Sequence, residues 1–261
     1  SKLLYNISMR YAVVTGASSG IGTEMAKILS RMGYGLILVA RREDRLQALA
    51  RQLKNKAEIF AADLSVQEEC ERLGQYIKNF DVGVFINNAG FGDCGYFAET
   101  DLEKELQMID VNITALHILS KIAIRQMKEK GGYLMNVGSS AGLLPAGPYM
   151  ATYYATKAYV ASFTQALSLE QRERRSNIHV SVLCPGPVDT EFNSVANGKC
   201  TLRGISAKLC ARYALRKMFQ DKTVIVPGFP MKAAIFASRF FPRGIVAKIT
   251  ARQQKKKLGN A

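Results

Sequence analysis

Thr15-Gly-Ala-Ser-Ser-Gly-Ile-Gly22 stands between an apolar run, Tyr11 to Thr15, and a segment from Gly20 to Met32 with apolar residues at helical spacing. A glycine turn between a buried strand and a helix leaves the first N–H groups of the helix free to hold a pyrophosphate. The spacing G-x-x-x-G-x-G differs from the common G-x-G-x-x-G, and a purely structural turn is the alternative. This stretch predicts the first strand and helix of a dinucleotide-binding sheet.

Outward from this turn, short β-branched runs alternate with longer helical patterns, which is typical of a parallel sheet covered by helices. The predicted strands are 11–15, 35–40, 58–62, 82–86, 133–137, 178–183 and a short edge strand at 223–226. The main predicted helices are 20–32, 43–54, 102–130 and 152–173. We predict an α/β fold with a doubly wound parallel sheet of about seven strands, that is, a Rossmann fold with helices on both faces. Residues 1–228 are predicted to form one catalytic domain, and residues 229–261 a basic helical extension.

Composition excludes several classes of protein. The chain has 261 residues, of which 48% are hydrophobic, and no apolar stretch approaches the roughly 18 residues of a membrane span. Residues 1–6 lack an apolar signal core, and the five cysteines form no Cys-x-x-Cys pair. We therefore predict a cytoplasmic protein without disulfides, and two histidines make a metal site improbable.

The net charge of +15 is concentrated at the C-terminus, where nine basic residues and no acidic residue follow Asp221. Lys248, Arg252 and Lys256 share one helical face, and Ile245 and Ile249 share another. This pattern fits an amphipathic segment that makes weak contact with an anionic membrane surface, or one that packs on the domain or a second subunit with its charges in water. It lacks the interleaved aromatic residues of a nucleic-acid-binding tail, so no nucleic-acid partner is predicted.

The end of the second predicted strand bears on cofactor preference. Folds that prefer NAD usually carry an acid there for the ribose 2′-hydroxyl, whereas this chain has Ala40 followed by Arg41 and Arg42. Two guanidinium groups suit the 2′-phosphate of NADP, although a solvated arginine pair is the alternative. We predict NADPH/NADP as cofactor rather than NAD.

Tyr153 and Lys157 are four residues apart on a predicted helix, so they share one face. A nearby ammonium group favours the phenolate, and we expect Lys157 to lower the pKa of Tyr153 toward the range useful for proton transfer. Ser139 and Ser140 follow the predicted strand 133–137, at the edge of the sheet where open α/β folds bind ligands.

With these motifs the sequence resembles the short-chain dehydrogenase/reductase family, over essentially residues 8–228. The matching motifs, in chain order, are Thr-Gly-x-x-x-Gly-x-Gly at 15–22, Asp63, Asn-Asn-Ala-Gly at 87–90, Asn112, Ser139, Tyr153 with Lys157, and Pro-Gly-Pro-Val-x-Thr at 185–190. Each motif alone is a weak signal, and their joint occurrence in order is specific.

The resemblance implies four catalytic residues. Tyr153 would exchange a proton with the substrate oxygen, and Ser139 would hydrogen-bond that oxygen. Lys157 would hold the nicotinamide ribose and lower the Tyr153 pKa, and Asn112 would anchor a water that relays protons to Lys157. The family's Asn-x-x-Ser-x-Ala-Gly motif places its serine at Ser139. The number of residues that most often separates the serine from the tyrosine in this family would instead select Ser140. We favour Ser139 and leave both open.

The resemblance also implies a set of cofactor contacts. Asp63, beside Leu64, would accept from the adenine amino group, residues 87–90 would line the adenosine side and steady the sheet, and Val188 and Thr190 would position the nicotinamide carboxamide. The full predicted set is Gly16, Ser18, Ser19, Gly20, Ile21, Gly22, Arg41, Arg42, Asp63, Leu64, Asn87, Asn88, Ala89, Gly90, Tyr153, Lys157, Pro185, Gly186, Val188 and Thr190.

The predicted activity is NADPH-dependent interconversion of a carbonyl and an alcohol, and the alternative is a non-catalytic cofactor-binding or scaffold protein. A hydrophobic substrate is predicted from six candidate pocket residues, with ordinary core packing as the alternative: Phe91, Cys94, Tyr96, Leu143, Tyr149 and Phe192. By resemblance, residues 191–212 fall where the family carries a mobile substrate lid, with a plain surface loop as the alternative. The helices at 102–130 and 152–173 occupy the family's subunit interfaces, which implies a homodimer or homotetramer.

Overall fold

A computed structural model describes residues 9–192 and 204–255. Within these residues a seven-stranded, all-parallel sheet has the order β3-β2-β1-β4-β5-β6-β9. Its strands are β1 Tyr11–Thr15, β2 Gly35–Ala40, β3 Ala57–Ala61, β4 Val82–Asn87, β5 Gly132–Val137, β6 Ile178–Leu183 and the edge strand β9 Val224–Ile225. A separate two-stranded ladder joins β7 Val188–Asp189 to β8 Ile205–Ser206. The predicted fold class is confirmed.

Helices cover both faces of this sheet. They are α1 Gly20–Arg31, α2 Glu43–Ala50, α3 Gln67–Tyr76, α4 Leu102–Ile109, α5 Leu116–Gln126, α6 Ala151–Glu173, α7 Ala207–Met218, α8 Phe229–Ser238 and α9 Arg243–Lys255. One core cluster joins β1 and β2 to α1 and α7, and another joins the opposite side of the sheet to α3 and α5. Because both faces are covered, central strands such as β2 and β4 are buried along their whole length and consist mainly of apolar residues.

The predicted helix 102–130 is interrupted. Its middle, Asp110–Ala115, is π-helical between α4 and α5, and α5 ends at Gln126. The chain then turns through Gly131, whose φ of +69° lies in the left-handed region that favours glycine. The widened turn has a consequence for the site, because it contains Asn112. Sequence periodicity cannot show such an insertion, since one extra residue hardly disturbs the pattern.

The second half of the chain departs further from the prediction. The predicted loop at 191–212 contains β8 and the first residues of α7, whose N-terminus is capped by Ser206 accepting a hydrogen bond from Leu209 N. Residues 193–203 of that loop lie outside the described residues, as do Lys256, Lys257 and residues 1–8. No described helix has both the length and the apolar character that crossing a bilayer requires.

Candidate functional site

A cavity of about 660 Å³ lies at the carboxyl edge of the sheet. The strand order reverses between β1 and β4, and open α/β sheets bind ligands in the crevice at such a switch point. The loops after β1, β2, β4, β5 and β6 line one part of the cavity, and α8 and α9 line another. The site therefore has two ends, built from different parts of the chain.

The glycine turn forms the wall nearest β1. Gly16 and Gly20 have φ values of +63° and +56°, and both line the cavity. A Cβ on Gly22 would lie 2.4 Å from the carbonyl oxygen of Gly16, so only glycine permits this approach of helix to turn. Asn88 Nδ2 donates to the carbonyl oxygens of Thr15 and Gly16 at 3.0 and 3.1 Å, which holds the turn against the loop after β4. A preformed glycine cradle at the N-terminus of α1 fits the pyrophosphate of a dinucleotide.

The two predicted arginines lie at the end of this cradle. Arg42 Nη2 donates to Ser18 Oγ at 3.2 Å, and Arg42 Nη1 lies 3.1 Å from Glu191 Oε2. Arg45 contacts the same carboxylate at 2.7 Å, and the Arg45 and Arg42 guanidinium groups lower the pKa of Glu191. Sequence reasoning missed Arg45 and Glu191, which are 146 positions apart and exposed.

Asp63 and Leu64 lie where the sequence predicts them, on the cavity wall after β3. Asp63 Oδ1 accepts hydrogen bonds from the backbone N and the Oγ of Ser65 at 3.0 and 2.8 Å. Its other oxygen is 4.0 Å from Arg41 Nη1, so an exposed cation and a half-buried carboxylate border the same corner.

The motif at 87–90 divides into two parts. Asn88, Ala89 and Gly90 line the cavity, but Asn87 does not. Asn87 is buried beneath the sheet edge, where its amide donates to Asn136 Oδ1 at 2.9 Å and to Ser120 Oγ at 3.2 Å. These hydrogen bonds fit the predicted role of steadying the sheet, and the Asn87 side chain does not reach the cavity, because side chains alternate between the two faces of a strand. Its cofactor contact stays a prediction.

Other predicted cofactor residues are distributed in the same way. The following residues line the cavity: Ser18, Ser19, Ile21, Pro185, Gly186, Val188 and Thr190. Gly22 lies behind the turn and shapes it without lining the cavity. The predicted cofactor residues converge on one cavity, with Asn87 and Gly22 supporting it from behind.

Tyr153 and Lys157 project from the first turns of α6 into this cavity and are both buried. Lys157 Nζ donates to the carbonyl oxygen of Val137 at 3.0 Å and lies 5.8 Å from the centre of the Tyr153 ring. Ser139 hydrogen-bonds Tyr153, whereas Ser140 is engaged through its backbone N with Pro185 O at 2.8 Å. Of the two serines left open by the sequence, the structure brings Ser139 to the phenol.

The expected lowering of the Tyr153 pKa is not what the structure shows. Burial raises the pKa of Tyr153 to about 12, and the hydrogen bond from Ser139 only partly offsets this. Burial also lowers the pKa of Lys157 to about 8, because a buried ammonium group loses its hydration. The ammonium group points at the Val137 carbonyl rather than at the phenol oxygen, so desolvation outweighs the attraction that the sequence suggested.

Asn112 lies in the π-helical segment and is fully buried. Its Nδ2 donates to Phe91 O at 2.9 Å and to Thr156 Oγ1 at 3.1 Å, and its Oδ1 accepts from Phe91 N. A Cβ on Gly90 would lie 2.7 Å from Asn112 Oδ1 and 3.3 Å from Lys157 Nζ. Asn112 therefore joins the loop after β4 to α6 and lies beside the Lys157 ammonium group.

The predicted apolar pocket is only partly correct. Phe91 and Phe192 line the cavity, whereas the other four candidates do not. Cys94 packs beneath Tyr153, Leu143 packs against Val160 and Met231, and Tyr96 and Tyr149 form a ring pair whose centroids are 5.1 Å apart. Tyr154, which the sequence predicts to pack in the core or form the pocket wall, completes the wall near Tyr153 together with Leu144 and Met150, which were missed.

The second end of the cavity comes from the C-terminal helices. Apolar side chains from α8, α9 and their connection line it, namely Met231, Ala234, Ile235, Ala237, Phe241, Val246 and Ile249. Gln254 on α9 donates through Nε2 to the Tyr154 hydroxyl at 2.7 Å, which anchors α9 beside the tyrosine pair. The apolar run at 229–241 was visible in the sequence, but no local signal assigns it to this cavity.

Comparison with known proteins gives matches over most of the chain. A family model described as short chain dehydrogenase matches residues 10–200. A very-long-chain 3-oxoacyl-CoA reductase from Neurospora crassa is 35% identical over 182 residues, covering 66% of this chain and 54% of that protein. An uncharacterized oxidoreductase from Staphylococcus epidermidis is 37% identical over 187 residues, covering 70% of this chain and 80% of the other. The chain thus spans about half the length of the Neurospora relative.

Solved structures give the same grouping. A short-chain dehydrogenase from Sphingobium yanoikuyae in complex with NADPH superposes with a TM-score of 0.81 at 30% identity, covering 91% of this chain and 95% of that one. A bulky-bulky ketone specific alcohol dehydrogenase from Comamonas testosteroni gives a TM-score of 0.75 at 27% identity, covering 89% and 92%.

Proposed function

The chain belongs to the short-chain dehydrogenase/reductase family, and from this premise we propose that it is an NADPH-dependent oxidoreductase that interconverts a carbonyl group and an alcohol. One observation carries the proposal. Ser139, Tyr153 and Lys157 meet in a cavity that continues into a glycine cradle shaped for a dinucleotide. A relative that acts on a 3-oxoacyl-CoA and another that is specific for bulky ketones support carbonyl chemistry.

The nicotinamide, when bound, supplies the hydride or accepts it. Tyr153 supplies the proton in the reducing direction. Because burial raises its pKa to about 12, the phenol is fully protonated at neutral pH and is ready to donate as negative charge develops on the substrate oxygen. Ser139, which already hydrogen-bonds Tyr153, is placed to hold that same oxygen.

Lys157 supports the tyrosinate that proton transfer leaves behind. Its ammonium group lies 5.8 Å from the ring centre and is largely protonated at pH 7, since its pKa is about 8. A positive charge inside a desolvated cavity favours the phenolate more strongly than it would in water. In this proposal Asn112, adjacent to Lys157 across Gly90, anchors the water that returns a proton to the ammonium group.

The preference for NADPH rests on the corner formed by Ser18, Arg41 and Arg42. No carboxylate stands at Ala40 to hold a ribose 2′-hydroxyl, and the neighbouring Arg42 guanidinium group and Ser18 hydroxyl would hold a 2′-phosphate. The NADPH complex of the Sphingobium relative supports this preference.

Further parts of the proposal concern the whole protein. Residues 1–228 form the catalytic domain, and residues 229–261 form a C-terminal extension whose helices α8 and α9 complete an apolar substrate pocket. The enzyme assembles as a homodimer or homotetramer and does not act on nucleic acid. A non-catalytic scaffold is not favoured, because a scaffold does not need Ser139, Tyr153 and Lys157 to be gathered at one cavity.

The test is a panel of ketones and alcohols assayed with NADPH/NADP and NADH/NAD, using Tyr153→Phe and Tyr154→Phe as a matched pair. Both variants lose one phenol oxygen from adjacent positions of α6, but the Tyr154 hydroxyl accepts a hydrogen bond from Gln254 instead of pairing with Ser139. We expect Tyr153→Phe to lower kcat about 10²-fold to 10⁴-fold with unchanged NADPH binding, and Tyr154→Phe to retain most of the activity. Full turnover by Tyr153→Phe would refute the proposed role.

A further inference from the structure

The C-terminal helices expose an unusually apolar surface. In α8, in α9 and in the connection between them, six large apolar side chains are about half to four-fifths exposed: Phe229, Phe236, Phe240, Phe241, Ile245 and Ile249. Phe240 alone is 72% exposed, and its ring packs edge-on against Phe236 with centroids 5.2 Å apart. Single exposed apolar residues are ordinary, but a contiguous aromatic group marks an interaction surface. We call these six residues the apolar surface.

Cations surround the apolar surface. Five basic residues in or next to the same helices are exposed, namely Arg239, Arg243, Lys248, Arg252 and Lys255. Within the part of the chain that the structure describes, no carboxylate lies within 4.0 Å of any of these five side chains. No acidic residue follows Asp221 in the sequence, so the charge is uncompensated locally as well as overall.

The orientation of α9 is set by its inward face. Val246, Thr250 and Gln254 recur every four residues and are buried, and Gln254 is hydrogen-bonded to Tyr154. Successive residues of a helix turn by about 100°, so Ile245, Ile249 and Arg252 must point away from this buried stripe. α8 is held by Ile235, which is buried against Val160 and Val226. The apolar surface is therefore a rigid feature of the folded protein.

The cavity opens at this surface. Phe241 and Ile249 line the cavity, and each also exposes more than half of its surface to solvent. Ala234 and Ala237 on α8 are likewise both cavity-lining and exposed. The cavity wall and the apolar surface therefore share residues of α9 and of its connection to α8.

We propose that α8 and α9 form a docking surface for an anionic lipid bilayer, with the mouth of the cavity turned toward the membrane. Aromatic and isoleucine side chains bounded by lysine and arginine match the chemistry of a headgroup boundary, where apolar groups enter the acyl region and cations meet lipid phosphates. A second copy of this chain fits less well. A two-fold interface would place five unpaired cations of each copy near those of the other.

One consequence rests on the proposed function. An apolar carbonyl compound dissolved in the bilayer would enter the cavity that contains Tyr153 from the side lined by α8 and α9. The docking surface itself is independent of turnover, because vesicle binding is measured without substrate or cofactor.

The experiment measures sedimentation of the intact protein with vesicles of phosphatidylcholine alone or with 30 mol% phosphatidylglycerol added, at low and high salt. We expect binding to the anionic vesicles at low salt and weaker binding at high salt, since Debye screening reduces the electrostatic part. Failure to bind anionic vesicles at low salt would overturn the proposal.

Two matched pairs of variants locate the surface. Phe240→Ser and Phe97→Ser remove a phenylalanine that is 72% or 70% exposed, and only the first lies on the apolar surface. Arg252→Glu and Arg51→Glu change the net charge equally at exposed positions of α9 and beyond α2. We expect Phe240→Ser and Arg252→Glu each to weaken anionic-vesicle binding about five-fold or more, with the control variants unchanged. Equal effects of both members of a pair would contradict the assignment.

Light scattering without vesicles tests whether the apolar surface instead binds a second copy of this chain. If Phe240→Ser reduces the oligomeric mass while the vesicle binding stays unchanged, the surface is a subunit interface and the membrane proposal is wrong. For an active enzyme, Phe240→Ser should raise KM for a vesicle-borne lipophilic ketone but not for a water-soluble ketone. Loss of turnover with both ketones would contradict the proposed activity. It would not change the conclusion drawn from vesicle binding.

Discussion

The two ends of the cavity are built on different principles. The end proposed to bind the nucleotide, called the nucleotide end, is formed by short loops that follow strands β1 to β4, where each turn is set by residues adjacent in sequence such as Gly16 and Gly20. The substrate end is formed by α8 and α9, whose residues lie about a hundred positions beyond Ser139 and Tyr153. A local motif therefore specifies one end, and long-range packing specifies the other.

This difference predicts separable phenotypes. Changes at the glycine turn should act on nucleotide binding and on folding, because the turn is rigid backbone that supports α1. Changes on the inner face of α8 or α9 should act mainly on the substrate KM, because most of the cavity-lining side chains there are apolar. Lys157 lies where the two ends of the cavity meet. Because it is buried, we expect its protonation to have the largest effect of the changes below, an effect on the stability of the fold.

We expect wild-type stability to depend on the protonation of Lys157. The pKa of Lys157 is about 8 in the folded state and 10.5 for an ordinary lysine, so between these values the unfolded chain binds more protons. The free energy of unfolding should therefore rise with pH across pH 8 to 10, relative to Lys157→Met, by about 2 kcal/mol. Above pH 10, Tyr153 opposes this trend, since its raised pKa makes the folded state bind more protons.

Urea titrations of wild type and Lys157→Met at several pH values provide the measurement. Subtracting the two curves removes the contributions that both proteins share, including those of the buried cysteines whose pKa values are raised. Parallel pH curves for the two proteins would show that Lys157 is not buried as an ammonium group.

At the nucleotide end, Gly22→Ala should destabilise the fold. The new Cβ would lie 2.4 Å from Gly16 O and 2.5 Å from Asn88 Nδ2, and the backbone must shift to admit it. We expect a loss of about 1–3 kcal/mol with weaker NADPH binding, measured by thermal unfolding and by nucleotide fluorescence titration. Gly244→Ala on α9 is the control, because nothing lies within 4 Å of its added Cβ. Unchanged stability in Gly22→Ala would mean that the turn is looser than described.

At the substrate end, Ile249→Gln should raise KM for an apolar ketone about five-fold, since part of an apolar contact is lost, and should leave the Kd of NADPH unchanged. Ile245→Gln is the matched control, because Ile245 is 48% exposed, like Ile249 at 51%, but does not line the cavity. Steady-state kinetics with one apolar ketone gives the comparison. An equal change in both variants would break the assignment of α9 to the substrate end.

The smallest effect concerns Glu191, whose carboxylate engages Arg42 and Arg45. A 2′-phosphate at the same corner must share these guanidinium groups with Glu191. We expect Glu191→Gln to bind NADPH about two-fold to five-fold more tightly and NADH as before, in fluorescence titrations at low salt. If Glu191→Gln bound both nucleotides more tightly, Glu191 would not compete specifically with the 2′-phosphate for the two guanidinium groups.

Local chemistry explains which parts of the site were predictable. The glycine turn, Arg42 and the pair Tyr153–Lys157 follow from spacing on single elements, and the structure gathers them at one cavity. The choice between Ser139 and Ser140 depends on the directions in which one loop points two neighbouring side chains. The spacing of residues in the sequence does not determine these directions. The Tyr153 pKa was wrongly expected to fall, because the sequence shows the nearby cation but not the depth of burial.

By itself the sequence determined the seven strands of the main sheet, the glycine turn after the first strand and the spacing of Tyr153 and Lys157, because periodicity and glycine turns act over a few residues. Only the tertiary structure decided that α8 and α9 complete the cavity, that Asn87 lies inside the sheet and that Asn112 reaches α6 through a π-helical turn. These features depend on which surfaces meet when distant segments pack. Such contacts are selected by the burial and hydrogen bonding of the whole chain, and short-range pattern does not encode them.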